Sequence, residues 1–564
     1  MAETTSMKSE ITDPLIQALD KLGKGSSFLW LIFIFTITPT VFNGMHSMSY
    51  IFIAEIPDHW CFIPDLNAAN WTDEQIKNIS SATSCTKYNY DYKYLAEIGF
   101  ENASEYTRSN KVPETLSCST RSFAKETSGS SFVEDWDLVC DKIADRSSTH
   151  MALSLGKMMG SAFFGIFADK HGRKLSYAIG IFLLIISGPA SAVIPWYWGF
   201  MIFRLITGVS HAAIQYSSFT TLTEVAGERH RQWMGVAYNC GYATGIALTS
   251  GVAYLFRDWR HIQLATSLPA LILVIHMWFM PESPRWLISQ SRQKEARIII
   301  EKAHGRIDDT TPTTTLTLNM HNRVSKDANQ SEGVTINEND AKERLRRNIK
   351  GFRLLVSNYE LRKRILITNF AWMTASLSYY ALALNINNFS ADRYISVLVM
   401  GLTEIPAYLI PAPILMVVGR RPATGILYSA AALCLLSILT IPQAEDQTIM
   451  VIALIGRFTL SAVYGIVILY SSELFPTVSR NSAVGTNSAM SHVGSVAAPY
   501  VADLLGAIVW WGPTTLCGTL ALIAGMLCSL LPETRGRPIA DTIDEELTED
   551  RDVVSLQNCC KCSS

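Results

Sequence analysis

Gly165-Ile166-Phe167-Ala168-Asp169-Lys170-His171-Gly172-Arg173-Lys174 stands between two long apolar runs. A shorter version, Gly419-Arg420-Arg421, stands between two others, offset by 247 residues. Two further signatures recur in the same order. Glu224 with Arg231 seven residues on matches Glu473 with Arg480, an offset of 249, and Pro281-Glu282-Ser283 matches Pro532-Glu533-Thr534, an offset of 251. A near-constant offset across three signatures means that one structural unit is used twice.

The apolar runs give the unit its size. A bilayer core about 30 Å thick needs roughly 20 mostly apolar residues in helical form. Candidate spans are 28–53, 149–168, 175–194, 198–220, 232–255, 260–280, 364–387, 394–417, 423–441, 448–470, 482–506 and 510–531, twelve in all. A soluble core has no room for so many. The expected fold is an all-α membrane protein with twelve transmembrane helices in two six-helix pseudo-repeats. A cytoplasmic N-terminus (1–27) precedes a first bundle (28–280) that includes a large outer loop (54–148). A cytoplasmic linker (281–362), a second bundle (363–531) and a cytoplasmic tail (532–564) follow. Halves related in this way hold a binding site between them near the midplane, and transport requires them to rock. Asp169, Arg173, Glu224, Arg231, Arg420, Glu473 and Arg480 all lie on one side. There, carboxylates and guanidinium groups at helix ends can pair in one state and separate in the other, so they are gating candidates.

Bulk composition agrees. Charged residues make up 17% of the 564-residue chain and hydrophobic ones 49%, against about a quarter charged in a soluble domain. The net charge of −2 gives no bulk attraction to nucleic acid. The polar start, Met1 to Lys24, and the long first run read as a retained span rather than a cleaved signal. Basic residues cluster in alternate loops (Lys170, Arg173 and Lys174; Arg229 and Arg231; Arg420 and Arg421; Arg480; Arg535 and Arg537), with Arg257, Arg260 and Arg393 as exceptions. That bias puts both termini in the cytoplasm and loop 54–148 outside. The loop carries three glycosylation sequons, at Asn70, Asn78 and Asn102, and four cysteines, Cys61, Cys85, Cys118 and Cys140. An even set of cysteines beside sequons points to disulfides in an oxidising space, with three pairings open. Cys559, Cys560 and Cys562 near the end are either palmitoylation sites or unmodified thiols.

The Gly165-to-Lys174 segment resembles the loop 2–3 signature of the major facilitator superfamily. Pro281-Glu282-Ser283-Pro284-Arg285-Trp286-Leu287 and Pro532-Glu533-Thr534-Arg535-Gly536 resemble its sugar-porter and organic-ion branch. The large first loop, opened by Pro57-Asp58-His59-Trp60-Cys61 and closed by Trp136-Asp137-Leu138-Val139-Cys140, is similar to that of the organic cation/anion/carnitine transporters, solute carrier family 22. The likeness runs from about Phe28 to Glu545. It implies a non-enzymatic carrier of small organic ions at the plasma membrane, without cofactor or metal. Phe42-Asn43-Gly44 and Ala540-Asp541-Thr542-Ile543-Asp544 look most like the carnitine-type subgroup. Two departures stand out. Met416 replaces the acidic residue of the second loop signature, so the two gates are not expected to be equivalent. His492 stands where cation carriers of the family have Asp and anion or carnitine carriers have Arg.

Ionisable residues inside spans are costly and face a cavity or a partner. Glu404 is the expected receptor of a substrate amine, or the partner of a basic residue. Arg457, Lys157 and His492 are candidates for a substrate carboxylate, and Arg457 is also a candidate anchor for Glu404. Arg204 reads as structural. Trp372 and Tyr379, seven residues apart on one helix face, are candidate ring walls for an ammonium group, since ring faces attract cations. Asn43 completes the set. The expected activity is alternating-access transport of small organic cations or zwitterions, carnitine-like or amino-acid-like. An organic anion exchanger, and a receptor or scaffold on a carrier fold, are the rivals. No nucleophile–base set, phosphate loop or metal cluster suggests an enzyme.

Overall fold

The computed structural model describes residues 19, 21–109, 114–124, 129–304, 355–388, 392–442 and 445–535. In the first half, α1 is Ser27–Met48, continued as Tyr50–Ile53, α2 is Ile143–His171, α3 is Arg173–Val193, α4 is Tyr197–Val225 and α5 is Glu228–Leu255. Helix α6 starts as Trp259–Ser267, tightens at Leu268–Ile272 and ends as Leu273–Phe279. In the second half, α7 is Tyr359–Leu384, α8 is Arg393–Leu409 with Pro411–Val418 as its continuation, α9 is Arg420–Ser437 and α10 is Asp446–Glu473. Helix α11, Thr477–Tyr500, runs into a wider π-helical turn at Val501–Leu505, and α12 is Gly512–Cys528. The breaks in α6 and α8 fall beside Pro269 and Pro411, because proline has no N–H to continue the ladder.

Seven of these helices, α1, α2, α3, α6, α8, α9 and α10, are long and apolar enough by themselves to cross a membrane. Helix α12 is apolar but shorter. The remaining four, α4, α5, α7 and α11, have the length but carry more Ser, Thr, Asn, Gln and His. In a bundle such helices turn their polar side chains away from lipid, toward neighbours or an internal cavity.

The repeated signatures meet as one device in each half. Gly172 and Gly419 adopt φ of 103° and 90°, where a side chain would be strained, and the chain reverses there between α2 and α3 and between α8 and α9. The new helix begins with unpartnered N–H groups and a partial positive charge. Glu282 accepts from the N–H of Arg173 at 2.8 Å and of Lys174 at 3.2 Å. Glu533 accepts from Arg420 at 2.9 Å and Arg421 at 3.0 Å. A Cβ on Gly172 would stand 2.3 Å from Glu282 Oε2, so glycine is needed for room as well as for φ. Burial opposes ionisation of Glu533, but the N–H groups of Arg420, Arg535, Arg421 and Thr534 outweigh it and hold its carboxyl below the ordinary range.

The outer loop is a small disulfide-linked subdomain. Strands His59–Cys61 and Arg121–Phe123 pair antiparallel, and Thr86–Tyr88 is flanked by Ser81–Thr83 and Thr115–Ser117. Arg121 bridges Asp137 at 2.9 Å and Asp141 at 2.7 Å. Asn70, Asn78 and Asn102 are exposed on this loop. The cysteines pair as Cys61–Cys118 and Cys85–Cys140, one of the three arrangements the sequence left open.

Two boundaries differ from the sequence expectation. Helix α2 begins at Ile143, inside the segment read as loop, and α7 begins at Tyr359, inside the segment read as linker. The hydropathy pattern ends where charges appear, but the helices continue through them because those charges have partners: Arg146 is only 6% exposed, and Arg364 donates to the Leu474 carbonyl at 3.0 Å. Most of the linker and the tail with Asp541, Cys559, Cys560 and Cys562 lie outside the described residues.

Peptide mapping without reduction should recover the Cys61–Cys118 and Cys85–Cys140 linkages. Cys85→Ser should destabilise the loop by about 2–5 kcal/mol, read as faster limited proteolysis between residues 54 and 142.

Candidate functional site

A cavity of about 160 Å³ lies between the halves. From the first half it is lined by Thr40 and Asn43 of α1, Lys157 of α2, Gln215 of α4, and Tyr238, Asn239 and Tyr242 of α5. From the second it is lined by Ser376, Tyr379 and Tyr380 of α7, Tyr408 of α8, Tyr464 of α10, and Ser491, His492 and Ser495 of α11. The four polar helices α4, α5, α7 and α11 thus all open onto this space. A space of this size suits a small solute. The wall is hydrogen-bonded. Asn43 donates to Gln215 Oε1 at 3.1 Å, Tyr464 and Ser491 share a bond of 3.1 Å, and Lys157 Nζ donates to Ser47 Oγ at 2.6 Å.

The expected site residues divide. Asn43, Lys157, Tyr379 and His492 are on the cavity wall. Glu404, Arg457 and Trp372 are not among its lining side chains: the structure corrects the substrate-facing expectation for them and has the alternative one for Glu404 and Arg457, an ion pair. Arg457 Nη2 donates to Glu404 Oε1 in a buried ion pair, with Arg457 3% and Glu404 1% exposed. Arg457 Nη1 also donates to the Tyr379 carbonyl at 2.8 Å, and its guanidinium lies 4.1 Å from the Tyr379 ring centre. The acid expected to hold an amine therefore already holds a guanidinium, and the pair ties α8, α10 and α7 together behind the wall. Trp372 donates to Ser471 Oγ at 2.8 Å and packs edge-on against Tyr464 at 6.0 Å. It supports a wall residue from the core of the second half. Arg204 is fully buried and donates to the His46 carbonyl at 3.2 Å.

Comparison with known proteins fits this architecture. Residues 79–545 match the family described as "Sugar (and other) transporter". The chain is 31% identical over 535 residues to an organic cation transporter protein of Drosophila melanogaster, covering 93% of each chain. It is 28% identical to human solute carrier family 22 member 2, covering 93% of this chain and 94% of the other. The chain belongs to the major facilitator superfamily, in its solute carrier 22 branch. In fold it is similar to the xylose transporter XylE from E. coli in a partially occluded inward-open conformation, with a TM-score of 0.58 and 14% identity over 91% of this chain and 100% of that one. It is a multi-pass membrane transporter of small organic solutes and not an enzyme.

This solute carrier 22 protein is closed at the end that carries the disulfide-linked loop. Arg146 of α2 meets Asp503 at the end of α11 at 3.2 Å. Asp503 also accepts from Tyr50 at 2.9 Å and Ser147 at 2.6 Å, and Ser148 bonds Tyr500 at 2.8 Å. Arg393, at the start of α8, pairs with Glu55, just past α1. Each of these ties crosses from one half to the other. At the opposite end, the gating candidates Asp169, Arg173 and Glu224 pair across helices of the first half, and Arg420 and Glu473 across helices of the second. Arg173 bonds Asp169 and Glu224, both at 2.9 Å. Arg420 grips Glu473 with two bonds, 2.9 and 3.0 Å, and Thr534 adds a third contact at 2.6 Å. The second half lacks the Asp169 equivalent and uses a two-pronged grip in its place. Arg231 donates to the Ala226 carbonyl at 3.1 Å and Arg480 to that of Phe475 at 3.4 Å. Those contacts place both guanidinium groups at the C-terminal ends of α4 and α10, where cations are favoured.

Sequence reasoning missed Tyr238, Tyr242, Tyr380, Tyr408 and Tyr464, Gln215, Asn239 and the serines. One signal was available: these residues lie mostly on the helices too polar to face lipid.

Glu404→Gln should leave Arg457 unpaired and cost about 3–5 kcal/mol, seen as a lower melting temperature of the purified carrier. Glu404→Leu with Arg457→Met should recover most of the loss. Asp503→Asn should loosen the outer closure, so that a cysteine introduced by Ser376→Cys reacts severalfold faster with an impermeant thiol reagent added outside.

Proposed function

We propose that this carrier moves small amine-bearing organic ions, cations or zwitterions of carnitine-like or amino-acid-like size, across the plasma membrane by alternating access. The observation that carries the reading is the cavity shared by both halves, into which Tyr238, Tyr242, Tyr379, Tyr380, Tyr408 and Tyr464 project. Ring faces hold an ammonium group by about 0.5–2 kcal/mol each, and they do so without a fixed anion that would resist release. The relatives described as organic cation transporters support an amine substrate. Both termini face the cytoplasm in this reading, and the exposed Asn70, Asn78 and Asn102 carry glycans outside. The basic loops and the disulfides of the outer domain support that orientation. A second reading, organic-anion exchange, draws on Lys157 at the cavity wall.

Counterflow in liposomes tests both. The full chain is loaded against a labelled quaternary ammonium ion, a labelled trimethylammonio carboxylate and a labelled aromatic carboxylate. The first or second should exchange and the third should not. Tyr464→Ala should lower apparent affinity for the amine probes about 3–30-fold, while Tyr464→Phe retains most of it. Exchange of the aromatic carboxylate alone would replace this reading with anion exchange. Saturable binding of a probe without flux would leave a receptor.

A further inference from the structure

The two halves have opposite charge at equivalent positions. The offset of 247 that carries Gly172 onto Gly419 also carries Lys157 onto Glu404. The offset of 249 that carries Glu224 onto Glu473 carries Gly208 onto Arg457. The second half therefore fills both positions with a buried ion pair. The first half has a cation in one and no side chain in the other. A Cβ on Gly208 would stand 2.1 Å from the Leu153 carbonyl oxygen and 2.9 Å from the backbone nitrogen of Lys157. Helices α2 and α4 thus touch backbone to backbone where the counter-ion would have been.

Lys157 is consequently turned to the cavity. It is only partly buried, it lines the space between the halves, and its ammonium group donates to Ser47. Among the described residues it has no carboxylate partner, and it is the one lysine, arginine or carboxylate among the lining side chains. The acid nearest to being a competitor, Glu404, is held by Arg457. A lone ammonium at the midplane of a bilayer protein is costly. A substrate that brings its own anion offsets that cost, whereas a substrate that is only a cation adds to it.

Resting on the amine-carrier reading above, we propose that Lys157 is the receptor for a substrate carboxylate, so that the transported class is zwitterionic. The carboxylate sits on α2 of the first half and the ammonium lies against the tyrosines of the second. One molecule then bridges the two halves, and its length between the charged groups is read by the distance between these two walls. Arg457, the other candidate for this role, is excluded by its burial and its pairing.

The experiment uses the full chain in liposomes and three probes of matched shape: 4-(trimethylammonio)butyrate, its methyl ester, and pentyltrimethylammonium. Inhibition of counterflow gives the affinity of each. The wild type should bind the zwitterion at least tenfold more tightly than its ester. Lys157→Gln should bring that ratio to within about twofold, and Lys157→Arg should keep it. A wild-type ratio near one, or a tenfold preference that survives in Lys157→Gln, overturns the proposal while transport of the ester or the alkylammonium leaves the amine carrier standing. A wild type that moves none of the three probes defeats the amine-carrier reading itself. If Lys157→Gln does not reach the bilayer, the wild-type ratio and the Lys157→Arg ratio decide: the ester bound as tightly as the acid overturns the proposal.

Discussion

An ion inside a membrane protein needs a counter-ion or water, and that requirement organises this chain. The Arg457–Glu404 pair is its plainest expression. Both groups are almost fully buried, so each depends on the other, and the Tyr379 carbonyl takes a further guanidinium proton. The arrangement fixes α8 and α10 against α7 and so sets the wall on which Tyr379, Tyr380 and Tyr464 stand. Removing one partner strands a charge in low dielectric, which costs far more than the pair itself contributes.

The same requirement explains the repeated signatures. At the same end of each half a helix starts immediately after a glycine turn, with its first N–H groups lacking partners within the helix. Glu282 and Glu533 supply the missing acceptors. Their neighbours Arg173 and Arg420 then pair with Glu224 and Glu473 on the adjoining helix. Three signatures separated by tens of residues in sequence are a single structural joint in space. Each joint makes its half rigid, which is what rocking two bodies against each other demands.

Much of this was legible in the sequence. The twelve spans, the twofold repeat and the outer cysteines followed from hydropathy, spacing and composition. What the sequence left open was which charges pair: Arg457 was a candidate anchor for Glu404 and equally a candidate for a substrate carboxylate. Glu404 alone looks like an amine receptor; its proximity to Arg457 is created by the packing of α8 on α10. Trp372 and Tyr379 share a helix face by their spacing, yet α7 is buried along most of its length. A shared face therefore does not distinguish cavity from core, and Tyr379 lines the space while Trp372 stands behind Tyr464. The cavity tyrosines were hidden for another reason. Tyrosine is common at membrane interfaces, and only the convergence of helices from both halves shows which ones meet.

The placement of the ion pairs separates the parts that must hold from those that must part. Arg457 and Glu404 lie within one half and never need to separate. Arg146 and Asp503, and Arg393 and Glu55, cross between halves at the outer end. A buried pair gains little net free energy, because desolvation offsets most of its Coulomb attraction. Opening the outer end returns both partners to water and recovers that desolvation, so a cross-half pair can be broken at small net cost while it still enforces a single register when closed. An apolar seal of equal area would gain about 25 cal/mol per Å² on closing and would lose all of it on opening. The charged contacts therefore add register at small net cost to the apolar contacts that also cross there, among them Phe52 stacked on Tyr394 at 5.4 Å.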